Sequence, residues 1–326
     1  MKQLVIAEKP SVGRDIARVL SCKKTLNGAI EGEKYIVTWG LGHLVTLADP
    51  EGYNKEYKDW NIEALPLIPD HFKYEVIKKT NKQYQVVKNL IHRNDVSNII
   101  IATDAGREGE LVARLILLKA GNKKPLKRLW ISSVTDRAIQ EGFKNLKDGS
   151  CYQNLYEAAL SRAEADWIVG INATRALTCK YNAQLSCGRV QTPTIAMIQK
   201  REEEIRSFVA ENYYGAKLNV RSEGNAIFSL TWQDKKGNTR SFQKNKIENV
   251  VQQGKKIPQA KVISVLSKDK KEYAPLLYDL TELQRDANRL YNYTAKQTLN
   301  ICQNLYEHHK VLTYPRTDSP RLSDTY

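Results

Sequence analysis

Short apolar runs alternate with helix-like stretches along the first 150 residues. Residues 4–7 form an apolar run of strand length, followed by Pro10 and Ser11 as helix-start signals and by Val12, Ile16, Val19 and Leu20 at helical spacing. Residues 35–39 read as a second strand, Tyr84, Val87 and Ile91 mark a helix, and 99–102 read as a buried strand. A helix from about Glu108 to Ala120 follows, with Gly121 as its stop. Residues 129–131 predict one more strand, and Ile139, Phe143 and Leu146 one more helix. Strands alternating with helices predict an α/β domain with right-handed crossovers and a parallel sheet covered on both faces. Residues 147–150 read as a linker, so the first domain is expected over 1–150.

Beyond it the period changes. Leu155, Ala158, Ala159, Arg162, Trp167 and Ile171 recur at helical spacings, giving a helical segment over 151–210. Residues 214–220 and 226–232 alternate with a period of two, which predicts antiparallel strands within a β-rich segment over 211–279. Helices return at 280–290 and 294–307 and lead into a turn-rich stretch over 313–320, in a last segment 280–326. No internal repeat is visible.

The charge narrows the partners. Fifty-one Lys and Arg against 36 Asp and Glu leave +15, so the expected partner is a polyanion, with nucleic acid first. With 41% hydrophobic and 27% charged residues, the chain is expected to fold rather than to act as a basic tail. No run is long enough for a membrane span and the N-terminal run is too short for a signal peptide, so a cytoplasmic location is expected. Five cysteines without C-x-x-C spacing predict free thiols, and His308–His309 lack the further ligands that a zinc site needs.

Candidate chemistry gathers where a parallel sheet would place it. Glu8 follows the first strand, and Asp104 and Glu108 follow the strand at 99–102. Ligands of open parallel sheets bind outside the carboxyl ends of strands, and carboxylates there suit Mg²⁺. The plainer alternative is that Asp104 and Glu108 only cap and charge the first turn of a helix. His43 lies after the second strand and fits a structural role as well as a functional one.

Glu8-Lys9-Pro10-Ser11 and the acidic cluster around Asp104 resemble the Toprim domain of type IA DNA topoisomerases. Residues 186–194, Ser-Cys-Gly-Arg-Val-Gln-Thr-Pro-Thr, resemble that family's S-x-G-R-V-Q-T-P-T segment. Residues 277–288 and 312–319 resemble the stretches that lead to and contain its active-site tyrosine. The variants at 130–133 and 166–175 are most similar to bacterial members, and the motifs stand in family order along nearly the whole chain.

The resemblance implies a Toprim (Rossmann-like) domain, a first helical DNA-binding leg, a first β-rich arch leg and the start of the tyrosine-bearing domain. It implies an ATP-independent, Mg²⁺-dependent isomerase that cuts one strand through a 5′-phosphotyrosine, passes a strand and reseals. Tyr314 would be the nucleophile, Arg316 would stabilise phosphate and phenolate, Lys9 would neutralise the scissile phosphate, and Glu8 would exchange the proton of the 3′-oxygen. Glu8, Asp104 and Glu108 would hold one Mg²⁺, because Gly106 stands where the family's D-x-D-x-E carries a second aspartate. His43, Asn172, Arg175, Ser186, Arg189, Gln191 and Thr192 match positions that contact single-stranded DNA. The implied partners are single-stranded, negatively supercoiled or catenated DNA, met by a nucleoid-associated monomer; the sequence identifies no helicase or single-strand-binding partner. Family cores are longer than this chain, which carries the outward leg only, so a catalytically incomplete single-strand-binding remnant is the alternative. A Toprim nuclease or primase-like enzyme would account for the first 150 residues but not for Tyr314.

Overall fold

The computed structural model describes residues 1–316; Thr317, Asp318 and Ser319 of the tyrosine motif, with the rest of the chain to 326, lie outside the described residues. The N-terminal part runs β1 (Lys2–Ala7), α1 (Pro10–Val19), β2 (Lys24–Leu26), β3 (Ala29–Glu31), β4 (Tyr35–Trp39), β5 (Val45–Leu47), β6 (Tyr74–Val76), α2 (Asn81–Ile91), β7 (Val96–Ala102), α3 (Arg107–Ala120), β8 (Leu126–Arg128), α4 (Asp136–Lys144) and β9 (Lys147–Asp148). Then follow α5 (Gln153–Tyr181), α6 (Gln191–Arg206), β10 (Lys217–Arg221), β11 (Ile227–Thr231), α7 (Lys244–Lys255), α8 (Leu280–Tyr291) and α9 (Ala295–Glu307).

The main sheet has the order β2-β3-β4-β1-β7-β8-β9, with β4, β1, β7 and β8 parallel and antiparallel partners at both edges. Leu4, Val5, Ile6 and Ala7 of β1 are all fully buried, the continuous apolar run of a strand covered on both faces. Because side chains alternate, Leu4, Ile6, Ile99 and Ile101 face one core with α2 and α3, while Val5, Ala7, Val37 and Ile100 face a second core with α1 and α4.

The α/β expectation holds, with corrections at the edge. The strand expected over 129–131 is β8 at Leu126–Arg128, shifted because a buried arginine, not an apolar residue, ends it. The stretch expected as a linker is partly β9, whose Lys147 and Asp148 pair with Arg128 and Lys127. The helix expected around Ile139 ends at Lys144, leaving Leu146 beyond it.

By contacts the chain divides into Met1–Pro193 with Pro275–Tyr326, and Thr194–Ala274, whereas the sequence reading draws four segments. The second unit holds most of α6 and the β10–β11 hairpin, paired from Lys217↔Thr231 to Arg221↔Ile227. It also contains α7, a helix within the stretch read as β-rich, with Ile247 as its buried anchor.

At the end of β3, Glu31 is nearly buried and takes Lys2 Nζ at 2.6 Å and Arg93 Nη2 at 2.8 Å. These hydrogen bonds, Lys2's first, hold its carboxyl down at about 2 against 4.5 for the free group. The stabilisation is therefore complete above about pH 4.5 and is lost as pH falls toward 2. Glu31→Gln is expected to cost roughly 2–3 kcal/mol at neutral pH and to flatten the acid limb of the unfolding curve. Urea titrations between pH 2 and 7 measure this; parallel pH profiles for both proteins would disprove it.

Candidate active site and nucleic-acid interface

The parallel register pairs Ala7 with Ala102, so β1 and β7 end side by side and their following loops meet. Glu8 leaves the first strand, and Lys9 is the extended N-cap residue before Pro10 opens α1. In the second loop the Asp104 N–H donates to Glu8 Oε2 at 3.2 Å. Thr103 Oγ1 donates to Gly109 O at 2.7 Å, folding this loop onto the start of α3. The approach is close: a Cβ on Gly109 would lie 2.2 Å from Asp104 O.

Arg128 holds the same loop from β8. It is fully buried, with Nη1 donating to Thr103 O and Leu129 O, both at 2.7 Å, and Nη2 to Asp104 O at 2.7 Å. Its charge is balanced by Glu110, also fully buried, whose Oε2 lies 2.9 Å from Arg128 Nε, near in distance but off the hydrogen-bond angle. Glu110 Oε1 accepts from Arg114 Nε at 2.9 Å.

Tyr314 reaches the strand ends from the far part of the chain. Its N–H donates to Ser132 O at 2.9 Å, its ring meets Tyr306 of α9 edge-on at 5.6 Å, and its phenol faces the Asp104 carboxylate. Two ion pairs accompany it, Lys9 Nζ–Glu307 Oε1 at 2.6 Å and Lys310 Nζ–Asp15 Oδ2 at 2.9 Å. An open cleft of about 400 Å³ lies beside Lys9, lined by Asn300, Gln303, Asn304 and Glu307.

Burial raises the Tyr314 phenol above its usual value, Asp104 and Glu8 add to this, and exposed Arg316 pulls it back. Burial, with repulsion from Asp104, raises Glu8; burial likewise raises Asp104, against the pull of Lys9. The site thus concentrates two carboxyls, each favoured toward its protonated form, around one phenol.

Glu108 is not drawn in: it pairs with Arg162 Nη1 at 2.6 Å on an exposed surface. Among the described residues no cluster of three or more His, Cys, Asp or Glu is arranged to hold a metal. His43 is exposed, on the loop whose Gly40 and Gly42 N–H groups donate to Ala7 O at 2.9 Å and Glu8 O at 3.4 Å.

Apart from His43, the residues expected to touch DNA lie on α5, the loop after it and the first turn of α6. Asn172 clasps Leu67, its Oδ1 accepting from the backbone N–H at 2.5 Å and its Nδ2 donating to the carbonyl at 2.9 Å. Arg175 is buried beneath Trp60. Thr174 Oγ1 accepts from Cys187 N–H at 2.9 Å, and one turn on Thr178 Oγ1 accepts from Leu185 N–H at 3.2 Å. These hydroxyls fix the loop that carries Ser186 and Arg189. Gln191 Nε2 donates to Ser186 Oγ at 3.3 Å, Thr192 Oγ1 accepts from Gly188 N–H at 3.0 Å, and Arg189 pairs with Asp166.

Sequence reasoning did not find Arg128, Glu110, Gly109, Glu307, Thr174 or Thr178. The two threonines, four apart on a helix facing a motif loop, were the one available signal.

The strand-end carboxylates of the parallel sheet thus meet a tyrosine brought from a following segment of the chain. A Toprim profile matches residues 3–134 and a DNA topoisomerase profile residues 150–326, and the chain belongs to the DNA topoisomerase family, as a type IA, topoisomerase III-like member. It is 61% identical over 322 residues to DNA topoisomerase 3 of Bacillus thuringiensis strain Al Hakam, and 60% identical over 325 residues to that of Bacillus subtilis strain 168. Each alignment covers 99% of this chain and 44% of the relative, so the chain spans under half the length of these curated relatives. Full-length topoisomerase I from Thermotoga maritima matches with a TM-score of 0.65 and 26% identity, over 99% of this chain and 50% of that one. Toprim domains and type IA topoisomerases are generally metal-dependent, and type IA topoisomerases bind DNA.

Proposed function

We propose that this chain carries the cleavage and religation centre of a type IA topoisomerase, acting on single-stranded DNA with Mg²⁺ and without ATP. The observation that carries the reading is the Tyr314 phenol facing Asp104 and Glu8, whose loops meet at the carboxyl ends of β1 and β7.

Asp104 is placed to take the phenolic proton as the Tyr314 oxygen attacks phosphorus and the bond to the 3′-oxygen breaks. Glu8, its carboxyl raised by burial, donates a proton to the departing 3′-oxygen, and resealing runs the same transfers backward. Lys9 serves the phosphate only after leaving Glu307, and Arg316 offsets charge on the phenolate. Glu8 and Asp104, half-buried and close enough to repel, fit one Mg²⁺, which takes one or two carboxylates and keeps waters. Bound there it would offset the charge of the phosphate oxygens. Glu108 joins them only by releasing Arg162. Ser186, Arg189, Gln191, Thr192, Asn172, Arg175 and His43 are proposed to hold the strand by its backbone. Strand passage on negatively supercoiled or catenated DNA, at the nucleoid, completes the proposal; among the described residues no helix is long and apolar enough to cross a membrane.

Trapping in denaturant with end-labelled oligonucleotides tests the reading: a Mg²⁺-reversible adduct through a 5′-phosphate supports it, and attachment to a 3′-phosphate contradicts it.

Gly106 offers a second test. It is the N-cap of α3, with an extended backbone and open space where a Cβ would stand. Aspartate therefore fits without strain and adds a carboxylate next to Asp104. Gly106→Asp is expected to tighten Mg²⁺ binding by about tenfold, on the order of one added charge-assisted ligand contact. Calorimetric Mg²⁺ titration measures it; unchanged affinity would place residue 106 outside the metal site.

A further inference from the structure

The turn after α9 carries a lysine where the backbone suits glycine. α9 ends at Glu307, and the His309 N–H then donates to Asn304 O at 3.2 Å and the Val311 N–H to Leu305 O at 3.1 Å. Between these two bonds Lys310 takes a φ of 55°, in the left-handed region that glycine and asparagine fill most easily beyond a helix end. Its side chain is committed as well. Lys310 Nζ lies 2.9 Å from Asp15 Oδ2 of α1, and the two side chains are only 24% and 25% exposed.

Asp15 is itself braced. Arg18, three residues on along α1, lies 3.5 Å from Asp15 Oδ1 and donates to both carboxylate oxygens of Asp136, at the start of α4, at 2.7 and 2.6 Å. Four residues beyond Lys310, the Tyr314 N–H meets Ser132 O in the loop that leads to that same helix. The tyrosine segment is thus held at two points, by α1 and by the loop before α4, and neither hold uses a reacting atom. The Lys9–Glu307 pair is a third tie between α1 and this segment, and in the proposed reaction Lys9 gives it up to reach the phosphate.

We propose that Lys310 is a positioning residue for strand cleavage, its ion pair with Asp15 keeping the Tyr314 segment seated on α1 after Lys9 has left Glu307. A left-handed residue with a Cβ persists where its surroundings fix it, and here the residue's own side chain supplies the fixing contact. A nucleophile displaced by about 1 Å loses up to about a hundredfold in rate. A pair that limits the drift of residues 311–314 therefore acts on the chemical step and not on the hold on the strand. The inference rests on the proposed function in taking Tyr314 as the nucleophile.

The test is single-turnover cleavage of an end-labelled single-stranded oligonucleotide by the chain with Mg²⁺, over a range of protein concentration, which separates the limiting rate from the half-saturating concentration. Lys310→Asn suits the left-handed backbone but carries no charge. It is expected to lower the limiting rate about fivefold, the upper end for a partly exposed ion pair, with half-saturation unchanged. Asp15→Asn should lower the rate equally, and the double variant no further, because all three remove one and the same pair. An unchanged limiting rate in Lys310→Asn, losses that multiply in the double variant, or a loss confined to half-saturation overturns the positioning role while leaving the cleavage proposal standing. No covalent adduct from the unaltered chain overturns both.

Discussion

Tyr314→Phe is expected to abolish covalent attachment to single-stranded DNA completely, while leaving equilibrium binding of the strand within about twofold. The ring keeps its edge-on contact with Tyr306 and its backbone bond to Ser132, because neither uses the phenolic oxygen. What disappears is the proposed nucleophile, the phenolic oxygen that faces Asp104. The same deletion relieves Asp104 of a partner that favours its charged form, so its carboxyl should rise further. The assay is a denaturing gel of end-labelled oligonucleotide incubated with each protein. An adduct formed by Tyr314→Phe would remove Tyr314 from the chemistry and with it the case for a tyrosine-linked intermediate.

Glu110→Gln is expected to be the most damaging conservative change in the sheet, at about 3–5 kcal/mol, the usual cost of leaving a buried charge without its counter-ion. Arg128 would keep its carbonyl acceptors at Thr103, Asp104 and Leu129 but lose the carboxylate that balances it in a fully buried position. Replacing both partners, as Glu110→Leu with Arg128→Met, should recover part of the loss, since the uncompensated charge is gone. Cleavage should not recover with it, because the guanidinium also holds the backbone of Asp104. Hydrogen exchange of the Ile99, Ile100 and Ile101 amides reports the stability, and oligonucleotide cleavage reports the loop. A double variant that restores both would show that Arg128 only stabilises the sheet.

The parts of the fold legible in the sequence were those where burial repeats along one element. β1, β4 and β7 are apolar runs because helices cover both faces, and α3 carries both its period and its glycine stop, Gly121, at a φ of 70°. β2, β3, β5 and β6 are three residues each, too short for any period to register. β8 was hidden because its last residue is an arginine whose burial depends on Glu110, a partner from another element. α7 was missed because one buried residue, Ile247, anchors an otherwise polar helix. In the site, Glu8, Lys9, Asp104 and Tyr314 were readable from motifs and strand ends. That Lys9 faces Glu307 and that Glu108 faces Arg162 follows from contacts between distant segments, which no local pattern encodes.

Gly109 shows how a residue with no side chain can hold a reactive geometry. The space its hydrogen leaves is the space that Asp104 O occupies, and the loop is laid down against it. A survey that deletes side chains one at a time to locate the working parts of this centre passes over the position, since there is nothing to delete. Only the addition of a carbon exposes it, by lifting Asp104 away from Glu8 with every reacting group still in the sequence. The tolerances of this centre are thus set partly by a void, and a redesign that keeps each named carboxylate but fills that void would keep the residues and lose the arrangement that joins them.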